Sequence, residues 1–347
     1  MITALITGCS RFSKELIECL KDNYDNETVR AIGVDCDENN ILKSGVDETY
    51  IVPPITDKDY IPCLKRICTD ESVDIIFPFI TGELELMADN VYQFEEIGVK
   101  VSVTPKKTLR IANDKIALYD KFFEYMPRQV IIGSCLNLEQ VIYEKKSEWG
   151  GCCVKLPDSC GGNGFFIIDD DKGNDLRLVN KAYVPTYRTC EDAICVIRNY
   201  IESCNQTKIR RVILQEYIEG ADYSVCALAD HGKTLYMQGY VGYKMSYGAV
   251  MNGKIEDNEA AYKIAKEVIE TLKLDGNVCL DFILTDGICY LLEVNPRLNA
   301  TLPFIAKAGL NLPYLRARQL LGFHGEPILP PVMKELRMEK YYEARYF

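Results

Sequence analysis

The sequence predicts an α/β protein: a doubly wound parallel sheet first, then a longer region of mixed strands and helices. Three observations carry this expectation. From residue 1 to about 104, short apolar runs alternate with amphipathic ones, the rhythm of strands joined by helices. Beyond that the rhythm changes, and strands follow one another across glycine-bearing turns, as in "NVCLDFILTDGICYLLEVNPR" (277–297). At 347 residues, 48% hydrophobic and 26% charged, the chain is too long for one ordinary domain and apolar enough for more than one core.

Taken in order, "ITALITG" (2–8) reads as a buried strand, "RFSKELIECLKD" (11–22) as an amphipathic helix and "VRAIGVD" (29–35) as a second strand. Then come "YIPCLKRIC" (60–68, helix), "VDIIFPFI" (73–80, strand), "ELELMADNVYQF" (83–94, helix) and "VKVSV" (99–103, strand). The loop after the first strand, Gly8-Cys9-Ser10-Arg11, has only one glycine of a dinucleotide fingerprint, which argues against a dehydrogenase.

A formal charge of −11 argues against a broad nucleic-acid surface. No run of some 18 apolar residues suggests a membrane span. "MITALITGCSRFSKE" lacks the pattern of a signal peptide, so a cytoplasmic location is expected. The fifteen cysteines are scattered through strands and helices with only two histidines, and fit reduced structural thiols rather than a disulfide or zinc framework.

The second region opens at "TPKKTLRIANDKIALYDKFFEYM" (104–126), where Asn113 and Asp114 can cap a helix with Lys115 in its first turn. A cation there opposes the helix dipole unless an anion is near; a solvated lysine is the plainer alternative. "CCVKLPDSCGGNGFFII" (152–168) is strand, glycine-rich loop, strand, with Lys155 on the first strand. Gly161, Gly162 and Gly164 could let backbone amides close over phosphates, or simply make a flexible hairpin. In "VILQEYIEGADYSVCALA" (212–229) a strand leads through Gln215, Glu216, Tyr217 and Ile218 to a second strand starting near Asp222. At the end of the last hairpin, Glu293 and Asn295 sit two apart and leave one face of an extended chain, a donor pair suited to a hard cation. Arg297 follows with a fork suited to phosphate or carboxylate, and Asp281 interrupts the otherwise apolar strand opposite.

In their order and spacing, "VKLPDSCGGNG", "LQEYIEGADYSV" and "LLEVNPRLNATLPFIAKAGLNLP" resemble the ATP-grasp superfamily, especially the ATP-binding module of the carbamoyl-phosphate synthase large chain and stand-alone carboxylate-amine ligases. The resemblance implies a pre-ATP-grasp α/β domain at 1–109 and a two-lobed α+β ATP-grasp domain at 110–322. Its small lid lobe would span about 125–212 and its central lobe 213–322, with a tail at 323–347. It implies that Lys115 and Lys155 hold ATP phosphates under a lid containing Gly161, Gly162 and Gly164. Glu216 and Ile218 would read adenine, with Gln215 and Tyr217 beside them and Asp222 near the ribose. Asp281, Glu293 and Asn295 would hold two Mg²⁺ ions, which Mn²⁺ could replace, and Arg297 would face the transferred phosphoryl group. Where relatives carry arginines after the ribose contact, this chain offers Lys244. Asp281 itself is what carboxylate-amine ligases tend to have, whereas carbamoyl-phosphate synthases tend to have Gln.

The implied activity is ATP-dependent C–N ligation through an acyl phosphate, with small-molecule carboxylate and amine substrates, release of ADP and phosphate, and no nucleic-acid or membrane partner. Homodimerisation stays open. The alternatives are phosphorylation of bicarbonate or carbamate with a partner subunit, and a non-catalytic ATP-binding module. A shared cation site sets a geometric condition. A two-residue turn at Asp286-Gly287 would pair Asp281 with Leu292 and turn it away from Glu293. A three-residue loop of Thr285, Asp286 and Gly287, or an equivalent bulge, is needed to bring both carboxylates to one face.

Overall fold

The structure, a computed structural model, describes residues 1–10, 13–41, 45–157, 164–175, 186–203, 210–246 and 249–341. The first sheet contains β1 (Ile2–Thr7), β2 (Val29–Asp35), β3 (Glu48–Ile51), β4 (Ile75–Phe77) and β5 (Lys100–Val101), all parallel, in the order β3-β2-β1-β4-β5. Helices Lys14–Lys21, Tyr60–Asp70 and Leu84–Glu95 connect and cover it, as the alternating pattern requires. β4 is shorter than the sequence suggests because Pro78 has no N–H to continue the ladder. β3 has 4 residues, too few for its periodicity to be read in the sequence.

The second sheet has the order β6-β10-β7-β8-β9, built from β6 (Gln129–Ile132), β7 (Cys152–Lys155), β8 (Phe165–Ile168), β9 (Tyr187–Arg188) and β10 (Val212–Glu216). Helices Leu138–Trp149 and Cys190–Glu202 cover one of its faces, burying Cys152, Val154, Val212 and Leu214. The third sheet is antiparallel, in the order β15-β14-β11-β12-β13-β16. Its strands are β11 (Ala221–Asp230), β12 (Lys233–Ser246), β13 (Ala249–Ile255), β14 (Gly276–Thr285), β15 (Ile288–Asn295) and β16 (Arg337–Glu339).

Alternation along β11 and β14 divides the third sheet into two faces. Tyr223, Val225, Val278, Leu280 and Phe282 pack with Val268 and Leu272 of helix Glu259–Leu272. On the other face, Cys226 and Cys279 join a core with helices Leu302–Lys307 and Leu312–Leu321, which also packs on Leu16, Ile17 and Leu20 of the first helix. The described cysteines are free thiols, and most are buried. No described helix is long and apolar enough to cross a membrane.

Polar ties fix the first sheet against the third. Asn311 Nδ2 donates to Cys19 O (2.6 Å) and Asp22 O (2.9 Å). Arg316, 1% exposed, holds both oxygens of Asp275 at 2.7 and 3.2 Å and donates to Ser102 Oγ at 3.3 Å. Removing one partner of such a pair leaves the other charge buried and uncompensated. Arg316→Met should therefore lower unfolding stability by about 3–5 kcal/mol, measured by urea denaturation. A loss below about 1 kcal/mol, the range of exposed pairs, would contradict this account.

Candidate active site

The hairpin of β14 and β15 turns through Asp286 and Gly287 at φ 48° and 78°, with Thr285 paired to Ile288. Positive φ at both residues is what a two-residue turn matching strand twist demands, and Asp-Gly supplies it. The three-residue loop considered from the sequence is thus not formed. The register shifts inside the ladder instead. Phe282 pairs with Leu291, but the next pair is Asp281 with Glu293, so Leu292 is an extra residue in a β-bulge. Leu291 and Val294 keep their place in the helix-covered core, while Glu293 turns to the other face beside Asp281. The geometric condition for a shared site is met by the bulge.

Five side chains meet there: Asp281, Glu293, Asn295, Ser224 and Lys115. Asn295 Nδ2 donates to Asp281 Oδ2 (2.9 Å) and to Glu293 Oε1 (3.0 Å). Ser224 Oγ, on neighbouring β11, donates to Asp281 Oδ1 at 2.6 Å. Asp114 caps helix Lys115–Phe122 by accepting from Ile116 N (2.8 Å) and Ala117 N (3.1 Å), which sets Lys115 at the helix start. From there Lys115 Nζ lies 3.5 Å from Glu293 Oε2 on the edge strand. The anion that makes a lysine reasonable in a first helical turn is Glu293.

Burial, and then the charge of Glu293, push the Asp281 carboxyl up to about 7. Burial acts on Glu293 in the same direction, yet Lys115, the Asn295 amide and Lys155 outweigh it and hold that carboxyl below its usual range. Two oxygen-bearing acids facing each other at a part-open cleft, one of them costly to ionise alone, form a donor set suited to a hard cation. The Asn295 amide nitrogen faces both carboxylates, so contributing its oxygen to a cation requires the amide to flip.

Lys155 comes to the same cleft from β7. It pairs with Ile213, and along this ladder Cys153 and Gln215 share its face, opposite the face covered by helices. Burial lowers the Lys155 pKa, opposed by Cys153 and Glu293. Leu156 N donates to Gly164 O at 2.9 Å, closing the base of the glycine-rich loop, and Gly164 has φ 77°. Gly161 and Gly162 lie outside the described residues.

The Gln215–Ile218 connection is clamped from one side. Arg128 grips the Glu216 carboxylate through Nε (2.9 Å) and Nη2 (2.8 Å), and Glu216 N donates to Arg128 O at 2.8 Å. Tyr217 N donates to Gly151 O at 3.1 Å, whereas Ile218 N makes no hydrogen bond within the described residues. The Glu216 N–H is thus already engaged by the chain itself. Gln215 is buried and donates to Gln129 Oε1 at 3.2 Å.

Asp222 pairs with Ile283 and sits two residues from Ser224, hence on the Asp281 face. Burial by the surrounding chain raises its carboxyl even though the side chain opens to solvent. Lys244 is exposed on β12 between two register shifts. Arg297 N donates to Asn295 O at 2.9 Å, and its side chain reaches the first domain, where Nε donates to Thr81 Oγ1 at 2.8 Å. Ser224, Arg128 and Thr81 escaped the sequence reading. Only Ser224 had a legible signal, its two-residue offset from Asp222.

Comparison with known proteins finds similar chains and folds. Residues 208–344 match the family model "ATP-grasp in the biosynthetic pathway with Ter operon", and residues 4–102 match "PylC-like, N-terminal domain". A curated relative, the carbamoyl phosphate synthase large chain, C-terminal section, of Aquifex aeolicus, is 23% identical over 263 residues, covering 72% of this chain and 44% of the relative. The chain thus spans less than half of that protein. N5-carboxyaminoimidazole synthetase from Staphylococcus aureus, solved with ADP, superposes with a TM-score of 0.65 at 11% identity, covering 97% of this chain and 81% of that one. L-amino acid ligase from Bacillus licheniformis gives a TM-score of 0.60 at 14% identity, covering 92% and 74%. The fold is an ATP-grasp fold, and the C-terminal part of the chain matches an ATP-grasp family model. In particular, a segment similar to a PylC-like N-terminal domain precedes one similar to an ATP-grasp domain.

Asp281 carries a charge that is costly without a bound cation. Asp281→Asn should stabilise the metal-free chain by about 1–3 kcal/mol at pH 8, because it removes a buried carboxylate facing another. Urea unfolding in the presence of chelator measures this. Equal or lower stability would show that Ser224 and Asn295 already compensate the charge in full.

Proposed function

We propose that the protein is an ATP-dependent carboxylate-amine ligase that activates its carboxylate as an acyl phosphate. The observation that carries this reading is the placement of Asp281, Glu293 and Asn295 on one face, with Lys115 on Glu293 and Lys155 across the same cleft. On this reading residues 1–109 form the leading domain, 110–322 the ATP-grasp domain with a lid at about 125–212, and 323–347 a tail. Asp281, Glu293 and Asn295 hold Mg²⁺, two ions on the family pattern and replaceable by Mn²⁺, which would neutralise phosphate charge and orient the γ-phosphoryl group.

The chain's own groups do the rest. Lys115 and Lys155 bind phosphate oxygens, and Gly164 belongs to the loop that, with Gly161 and Gly162, closes over them. Ile218 N–H and the Glu216 carbonyl read adenine beside Gln215 and Tyr217, and Asp222 meets the ribose. A substrate carboxylate oxygen attacks the γ-phosphorus, the bond to the β-phosphate oxygen breaks, and ADP leaves. The amine then attacks the acyl carbon, loses a proton and expels phosphate, giving the amide. Arg297 stabilises charge on the transferring phosphoryl oxygens, with Lys244 as a further cation toward the acceptor. No protein nucleophile is required, which suits a cleft without a described histidine. The similarity to a carbamoyl phosphate synthase section supports a second reading, phosphorylation of bicarbonate or carbamate with a partner subunit supplying ammonia.

Mg·ATP should raise the melting temperature, and an ADP-release screen over pooled carboxylates and amines should give signal only with both substrates present. Bicarbonate-dependent ADP release without a second carboxylate would instead favour the second reading. Lys155→Ala should weaken ATP binding tenfold or more, about 1.4 kcal/mol. Arg297→Ala should leave ATP affinity nearly unchanged and cut turnover by about a hundredfold or more. Parent-like turnover in Arg297→Ala would remove its assigned role.

A further inference from the structure

In the first sheet the chain runs outward in opposite directions from β1, toward β2 on one side and β4 on the other. The crevice beyond the C-terminal ends of β1 and β4 is therefore a topological switch point, and the loops there are Thr7–Ser10 and Pro78–Glu83. Both are held with unusual firmness. Gly8 has φ 57°, and a Cβ on it would stand 2.2 Å from Ile80 Cγ1, so the second loop can lie across the first only with glycine there. Glu83 is completely buried. Its Oε1 accepts from Thr7 Oγ1 (2.5 Å), Ile80 N (2.9 Å) and Phe79 N (3.0 Å), and its Oε2 accepts from Tyr60 OH (2.7 Å).

A buried carboxylate is costly, and four donors are what make it tolerable. They fix the backbone on either side of Thr81, an exposed residue. Its Oγ1 accepts from Arg297 Nε at 2.8 Å. Arg297 Nη1 donates to Leu298 O at 3.0 Å, which anchors the guanidinium from the segment just after β15. A long flexible arginine is thus held from two sides, and one of those sides belongs to the leading domain rather than to the ATP-grasp sheet.

We infer that Thr81 is a positioning residue for Arg297: the clamped Pro78–Glu83 loop presents its hydroxyl so that the guanidinium is aimed at the phosphoryl group before transfer begins. This rests on the reading of Arg297 given under the proposed function. Preorganised charge lowers the cost of transition-state binding, whereas ground-state nucleotide binding does not need it. The consequence is that the leading domain contributes to phosphoryl transfer without touching ATP.

The test uses a mimic of the transferring phosphoryl group, so it needs no knowledge of the substrates. Affinity is measured by calorimetry for Mg·ADP alone and for Mg·ADP with aluminium fluoride, in the full chain and in Thr81→Val and Thr81→Ser. The fluoride complex is expected to bind the parent more tightly than Mg·ADP. Thr81→Val should lose tenfold or more of that tightening, with Mg·ADP affinity and melting temperature unchanged, and Thr81→Ser should recover it. Parent-like tightening in Thr81→Val would overturn the inference. So would loss of tightening in Thr81→Val and Thr81→Ser alike, since the hydroxyl would then not be what matters. A parent that binds Mg·ADP without any tightening would overturn it while leaving the nucleotide reading intact; a parent that binds no Mg·ADP would overturn both.

Discussion

The cleft is organised around two carboxylates that face each other across one rung of the β14–β15 ladder. Asp281 and Glu293 would repel if both were charged, and the surrounding residues can be understood as answers to that problem. Lys115 compensates Glu293, Ser224 donates to Asp281, and Asn295 donates to both. Asp281 is the partner left difficult to ionise. An arrangement of this kind is poor for stability and good for holding a cation, which is the usual direction of the trade between folding and function.

The supporting fold is deployed to bring distant segments to that rung. The capped start of helix Lys115–Phe122 delivers a lysine to the edge strand of the third sheet. The second sheet, covered by helices on its other face, presents Lys155 and Gln215 inward. Helices Leu302–Lys307 and Leu312–Leu321 serve both the third sheet and the first, so the leading domain is docked through a shared apolar core and through buried polar ties at Asn311 and Arg316. Rigid docking is what allows a hydroxyl at Thr81 to have a fixed position relative to Arg297.

Much of this was legible in the residues. Alternating apolar runs marked β1, β2 and the helices between the strands of the first sheet, because burial on a strand or a helix face leaves a periodic trace. Asp-Gly marked the final hairpin, and the two-residue spacing of Glu293 and Asn295 placed both on one face. The short strands β3 and β16, of 4 and 3 residues, left no trace of that kind. Nor did the Arg128–Glu216 clamp, since its partners are 88 residues apart and a surface arginine looks the same with or without its carboxylate.

The clearest division between sequence and tertiary structure lies in the single residue Leu292. The sequence by itself determined that Asp281 and Glu293 lie on paired strands, that the turn between them favours two residues with positive φ, and that such a turn alone would set the two acids on opposite faces. Only the tertiary structure decided that the ladder bulges at Leu292. The physical reason is that β15 must satisfy the core on one side and the cleft on the other: Leu291 and Val294 are buried against the helix-covered core, and an unbroken two-residue alternation cannot place both there. Inserting one unpaired residue between them meets the packing demand, and it is that packing, invisible in local spacing, that turns Glu293 toward Asp281.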